Sequence, residues 1–165
     1  MEFAWYWSGQ LKTQEIETMR KNSGFTMTEL MVTIAVVAIL ASLAIPNFIA
    51  ALPNYRLRSG AEEIQSTLQF ARITAIKENA TATVAFNTAN ETYQASVQKS
   101  GGPVRIFRRG RMPAGIDINS TSFGGASVQF DSRGIANNAG NTVVRNDLGR
   151  SKTIEVYITG NSRIN

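Results

Sequence analysis

The chemistry-bearing residue that stands out is Glu29, the single charge in an apolar run from Phe25 to about Leu52. A carboxylate in hydrocarbon is expensive by several kcal/mol and calls for a compensating cation. Arg20 and Lys21 lie just ahead of the run, followed by Asn22-Ser23-Gly24. A second group is basic: Arg105, Arg108, Arg109 and Arg111, interleaved with Phe107. Such a cluster can hold a polyanion through phosphate contacts, with the aromatic ring available to stack on a base. In a regular strand Arg105, Phe107 and Arg109 share one face and Arg108 points the other way. The simpler alternative is a solvated edge strand whose charges discourage aggregation.

Other chemistries have little to start from. The 165 residues include no cysteine and no histidine. That removes thiol nucleophiles, disulfides, the commonest general base and the commonest metal ligand. Asp117, Asp131 and Asp147 are dispersed and sit beside turn signals, where Asp commonly bends the chain. Gly124-Gly125 lacks the strand–loop–helix setting of a phosphate cradle. The expectation is a non-enzymatic protein with no catalytic residue, cofactor or metal. Hydrophobic residues make up 43% and charged residues 18%, which fits a folded domain plus one apolar segment. The net charge of +5 resides after residue 24, because the first 24 residues carry equal numbers of cations and acids. An excess of this size favours polyanions or anionic lipid only weakly.

A helix over residues 25–52 would be about 42 Å long at roughly 1.5 Å per residue, enough to cross a bilayer. Arg20 and Lys21 predict a cytoplasmic N-terminal flank. Thr26, Thr28, Thr33 and Ser42 can bond to helical carbonyls, and Pro46 is expected to kink or loosen the helix. A plain signal-anchor and a removable secretory signal cut near Ser42-Leu43-Ala44 are alternatives. Glu29 weighs against both, since neither gains from a buried acid. Residues 1–18, mixed in charge and carrying Trp5, Tyr6 and Trp7, fit no signal design. Met19 reads as the true start, with residues 1–18 an upstream extension.

The run Gly24-Phe25-Thr26-Met27-Thr28-Glu29-Leu30, with Pro46 downstream, resembles the N-terminus of type IV pilins and type II secretion pseudopilins. The resemblance implies that a membrane-embedded prepilin peptidase cuts after Gly24 and methylates the new N-terminal Phe25. It makes Glu29 the acid at mature position five and Pro46 the family's helix-kinking proline. The bilayer argument then gains its missing cation. Glu29 lies about one turn from Phe25 and serves its own terminus only in part. Between neighbouring helices, Glu29 of one subunit can neutralise the Phe25 amine of the next, which makes Glu29 an expected assembly residue.

Beyond Pro53 the pattern becomes amphipathic. Leu57, Ala61, Ile64, Leu68, Ala71 and Ala75 recur at three- and four-residue spacing. This stripe predicts packing on the chain's own sheet, with a partner-helix face as the alternative, and an end near Glu78-Asn79. From Thr81 the period shifts to two. Strands are expected over 81–86, 93–97 and 104–108, and around 116–118, 127–131, 141–145 and 153–159. In the last, Ile154, Val156 and Ile158 form one face. The expected fold is α+β: a long N-terminal α-helix, membrane-spanning in its first half and amphipathic in its second, packed on a small antiparallel β domain. The segments are leader 1–24, transmembrane and assembly helix 25–52, amphipathic continuation 53–79 and periplasmic β domain 80–165.

The C-terminal half is similar to the H-type minor pseudopilins and related minor pilins, the GspH/FimT-like family. The similarity rests on Arg72-Ile-Thr-Ala-Ile-Lys-Glu, Val128-Gln-Phe-Asp-Ser-Arg-Gly134 and Ile154-Glu-Val-Tyr-Ile-Thr-Gly160. It implies a minor subunit near the tip of a type IV pilus or secretion pseudopilus, partnered by the prepilin peptidase, other subunits and inner-membrane lipid. DNA-uptake members carry Gly-Arg-x-Arg near the C-terminus. Here the place reads Gly160-Asn161-Ser162-Arg163, with Gly149-Arg150-Ser151-Lys152 a basic near-match in another loop. Arg150, Lys152 and Arg163 therefore join the four arginines as candidate polyanion-binding residues. A DNA-binding minor pilin for natural transformation is the alternative function, and an unprocessed membrane-anchored domain a third.

Overall fold

The computed structural model describes residues 24–165. The leader ahead of Gly24, with Met19, Arg20 and Lys21, lies outside the described residues. One helix, α1, spans Met27–Glu78 and includes both Pro46 and Pro53. Each proline withholds one donor from the ladder, yet the helical path continues through both. Thr33 and Ser42 behave as expected for hydroxyls in an apolar helix, donating to Leu30 O at 2.8 Å and Ile39 O at 2.7 Å. The chain divides into two compact units, with the boundary between Ser42 and Leu43.

At its C-terminal end α1 closes on a left-handed residue, Asn79, with φ +48°. Asn79 N–H donates to Ile76 O at 3.2 Å and Ala80 N–H to Ala75 O at 3.0 Å. This double closure satisfies carbonyls that the last turn would leave open, and asparagine tolerates the conformation. It fixes the helix end where the loss of periodicity predicts it.

Eight strands follow: β1 Thr81–Asn87, β2 Thr92–Gln98, β3 Val104–Arg111, β4 Ile116–Thr121, β5 Ser127–Phe130, β6 Gly140–Asn146, β7 Ser151–Val156 and β8 Ser162–Ile164. They form two antiparallel sheets, ordered β3-β2-β1-β5 and β4-β6-β7-β8, here sheet 1 and sheet 2. The β1–β2 turn is set by Asn87, whose Oδ1 accepts the Ala89 and Asn90 N–H groups at 3.0 Å each.

All six positions of the helical stripe from Leu57 to Ala75 are buried, in one cluster with the inner faces of both sheets. Large side chains come from the strands, among them Val84, Val128, Phe130, Ile116, Ile118 and Ile154, and from the helix through Ile64 and Leu68. The helix answers with Gly60, Ala61, Ala71 and Ala75, which allow close approach to the sheets. Gly60 is a helix-interior glycine with room for a methyl group, since a Cβ there would meet Met112 Sδ at 3.4 Å and Pro113 Cδ at 3.5 Å. Gly60→Ala should therefore stabilise the protein by about 0.5–1 kcal/mol, through reduced unfolded-state entropy. A denaturant titration checks the sign.

Three expectations are corrected. The C-terminal strand was expected over 153–159, but β7 begins at Ser151 and ends at Val156. A tight turn follows, with Gly160 N–H donating to Tyr157 O at 2.8 Å and Gly160 at φ +79°. Ile158 therefore leaves the inner face that its alternation with Ile154 and Val156 predicts, and is 60% exposed. Second, the chain returns from this turn as β8, which sequence periodicity does not reveal in three residues. Third, β3 is irregular: its register on β2 shifts between Ala95 and Ser96, which pair with Arg108 and Ile106 and leave Phe107 as an extra residue. One extra residue reverses the facing of everything after it.

Candidate functional site

Thr26 opens α1. Its Oγ1 accepts the Glu29 N–H at 3.2 Å and its carbonyl accepts Leu30 N–H at 3.1 Å. Thr26 is thus the cap of the helix, satisfying a donor that the first turn cannot satisfy internally. The sequence reasoning missed this role, although Thr26-Met27-Thr28-Glu29 carries the Thr-x-x-Glu signature of a capping box. Only half of the box is made: among the described residues the Glu29 carboxylate has no hydrogen bond or ion pair. Ahead of the cap, Gly24 and Phe25 are outside the helix, and the Phe25 ring is 79% exposed. The cap delivers an accessible Gly24–Phe25 bond and, one turn later, an acid with no partner among the described residues. The apolar segment from Leu30 is long enough to span a membrane and is unburied along its most apolar window.

The seven basic candidates do not form one patch. The bulge at Phe107 puts Arg105 and Arg108 opposite Val97 and Ala95, on the face of sheet 1 that meets α1. There Arg105 forms an ion pair with Glu78, the last residue of α1. Phe107 packs on Phe70 of the helix with ring centroids 5.6 Å apart, and so is not positioned beside Arg109. Arg109 and Arg111 pair with Gln94 and Thr92 and face outward. The expected Arg105–Phe107–Arg109 face is thereby replaced by an inner pair and an outer pair.

On the inner side, Tyr93 donates to the Glu63 carboxylate. Burial, reinforced by that hydrogen bond, pushes the Tyr93 hydroxyl up to about 12. Its ring lies across Gly110, where a side chain would collide with it. Gly110 is therefore required at the point where β3 turns its arginines outward.

Arg150 and Lys152 border a groove of about 570 Å³ with Leu57, Arg58 and Ile164. Arg163 lies on β8 opposite Glu155, which also accepts the Tyr157 hydroxyl at 2.9 Å. Asn161, where the resemblance led to an expected arginine, has a structural occupation. Its Oδ1 accepts from Arg72 Nη1 at 2.7 Å, while Arg72 Nε donates to Gly134 O at 3.0 Å. One guanidinium of α1 ties together the turns before β8 and after β5. An arginine at 161 would lose the acceptor and oppose a like charge.

The family described as type II transport protein GspH matches residues 60–160, and the prokaryotic N-terminal methylation motif matches residues 19–45. The chain belongs to the GspH family. Its methylation motif brackets the capped segment from Gly24 to Glu29, and the GspH match covers about the last third of α1 and almost all of the β domain. Among curated proteins, the type IV major pilin protein PilA of Myxococcus xanthus (strain DK1622) is 43% identical over 49 residues. That match covers 30% of this chain and 20% of PilA, so the chain spans about a fifth of that relative's length.

Solved structures share the GspH-family fold at low identity. The type IV minor pilin FimU of Pseudomonas aeruginosa (strain PAO1) superposes with a TM-score of 0.57 at 16% identity, over 68% of this chain and 90% of FimU. The minor pseudopilin EpsH from the type 2 secretion system of Vibrio cholerae gives 0.57 at 9% identity, over 67% and 96%. The long helix packed on a two-sheet antiparallel domain is thus a pilin-like architecture, and the family and fold neighbours are structural subunits. The chain is thus a GspH-family protein with an N-terminal methylation motif and a pilin-like fold.

Proposed function

We propose that the chain is made as an inner-membrane precursor, cut between Gly24 and Phe25 by a prepilin peptidase, methylated on Phe25 and assembled through α1 with other pilin or pseudopilin subunits. The observation that carries this reading is the Glu29 carboxylate, without a partner among the described residues, one turn inside a capped helix and next to an accessible Gly-Phe bond. In lipid that acid is stabilised by an amine on a neighbouring helix, and cleavage creates one. The helix crosses the membrane once, with residues 80–165 in the periplasm. The β domain then serves near the filament tip, where a minor subunit shapes initiation or the end structure.

Intact-mass analysis and N-terminal sequencing of protein co-produced with a prepilin peptidase test the reading. The expected product begins at Phe25, carries one added methyl group and retains the apolar segment. A product that begins ahead of Phe25, or that lacks the apolar segment, would overturn it.

A further inference from the structure

The contacts of β7 and β8 with α1 set the direction in which the β6–β7 turn points. Gln65 Nε2 donates to Ser162 O at 3.1 Å and Arg72 Nη1 to Asn161 Oδ1 at 2.7 Å, so β8 starts beside the middle of the helical stripe. Lys152 and Ile164, by contrast, border the groove that Asn54 and Leu57 line. Residues 147–150 therefore point to the end of the domain from which the apolar part of α1 emerges. A second pair of contacts agrees. Asp147 N–H donates to Gly115 O at 3.3 Å, and the adjacent Ala114 O accepts from Arg56 at 3.4 Å. Leu43 and all later residues form one compact unit with the β domain, and Leu43, Ile45, Phe48 and Ile49 are exposed apolar side chains within it. From Ile49 to Asn54 the helix rises about 8 Å, at roughly 1.5 Å per residue, close to the thickness of one lipid headgroup layer. At this level Leu148 is 59% exposed at the tip of its turn, and Tyr55 is exposed on α1. Arg58 is paired with Glu62, and Arg145 stands opposite Asp117 in the β4–β6 register. Arg56, Arg150 and Lys152 have no ion pair among the described residues.

We propose that this end of the β domain docks on the periplasmic leaflet of the membrane, with Arg150 and Lys152 on the phosphates of anionic phospholipid and Leu148 in the interface. The inference rests on the reading that α1 crosses the bilayer with the β domain in the periplasm, and adds a headgroup site to the contact of α1 with hydrocarbon. It does not depend on processing at Gly24–Phe25. Arginine matches phosphate oxygens with a planar fork, and lysine supplies a point charge on a long stem that lies along apolar surface. Tyrosine is enriched at the same depth, where its ring is apolar and its hydroxyl wet. Two cations and one leucine would hold a free domain on lipid only marginally. Here α1 already keeps them at the surface, so the contact is intramolecular and its effective concentration is high. A soluble polyanion would use the same cations but would have no use for Leu148, whereas a leaflet takes up both.

The test uses the full chain reconstituted into vesicles of phosphatidylcholine, with or without one-third phosphatidylglycerol, containing a lipid spin-labelled on its headgroup as quencher. The chain has no cysteine, so Ser151→Cys or Ser100→Cys carries a single fluorophore, and both positions are exposed. Ser100 shares a hollow with Asn79, at the other end of the amphipathic helix and about 38 Å from Asn54 along its axis. In the anionic vesicles, quenching at 151 should exceed quenching at 100 at least about threefold, and the excess should shrink without phosphatidylglycerol and as salt rises. R150Q/K152Q should lose most of the excess at 151, and L148S at least about half of it. K77Q/K99Q removes the same formal charge at the other end of the domain and should keep it. Flotation after an alkaline wash reports insertion through α1 separately. A chain that fails to float overturns the spanning reading together with the docking. A chain that floats but is quenched equally at 151 and 100 overturns the docking alone. So does an unchanged R150Q/K152Q variant, an equal loss in K77Q/K99Q, or an excess indifferent to phosphatidylglycerol.

Discussion

Glu29→Ala should be cut and methylated normally yet be lost from filaments. Among the described residues the carboxylate has no partner, while Thr26 Oγ1, not the acid, holds the helix start. Removing the carboxylate therefore leaves the cap and the cleavage site intact. On the proposed reading, what it removes is the compensation of a neighbour's Phe25 amine in a medium without water. Breaking a buried pair by deleting one partner costs about 3–5 kcal/mol. At about 1.4 kcal/mol per factor of ten, incorporation should fall by roughly two to three orders of magnitude. Glu29→Gln should fail nearly as badly, since it keeps the shape and loses the charge. Immunoblots of sheared filaments against membrane fractions read the outcome, with the Phe25 N-terminus confirmed by mass. Undiminished incorporation of Glu29→Ala would show that the acid serves something other than assembly.

Phe130→Ala should destabilise the β domain by about 3–5 kcal/mol, within the range for a large aromatic removed from a packed interior. Phe130 is fully buried although β5 is a four-residue strand at the edge of sheet 1. Its partner across β1 is Ala82, and the buried face of α1 carries Ala71 and Ala75. Phe130 has the largest of the fully buried side chains, so the ring fills more of the core than any other single residue there. Equilibrium unfolding should show a lower midpoint with an unchanged denaturant slope. A shift of less than about 1 kcal/mol would mean that the edge strand contributes little to the cooperative unit.

The parts of this fold that repeat with a local period were legible. The spacing of Leu57, Ala61, Ile64, Leu68, Ala71 and Ala75 fixes a helical face, and all six are buried. Ala82, Val84 and Phe86 alternate as read, because a half-buried strand shows its period directly. The misses depend on partners remote in sequence. Ile158 fits the strand pattern, but the turn closed by Gly160 ends β7 two residues earlier. Asn161 reads as a missing arginine until Arg72, 89 positions away, is seen to hold it. The Thr26 cap is different, since its signature is local and could have been recognised. Glu29 stood out from sequence because its oddity is energetic: one acid among apolar residues.

The extra residue in β3 also makes a forecast about sequence drift. Around Phe107 the inward or outward assignment of each arginine depends on how many residues precede it, more than on which residues they are. Deleting one residue there would send Arg109 and Arg111 toward the helix and strip the open side of the sheet of its cations, with composition hardly altered. Substitutions along this strand should thus be tolerated more readily than a change of length, and a homologue one residue shorter here would carry a different surface.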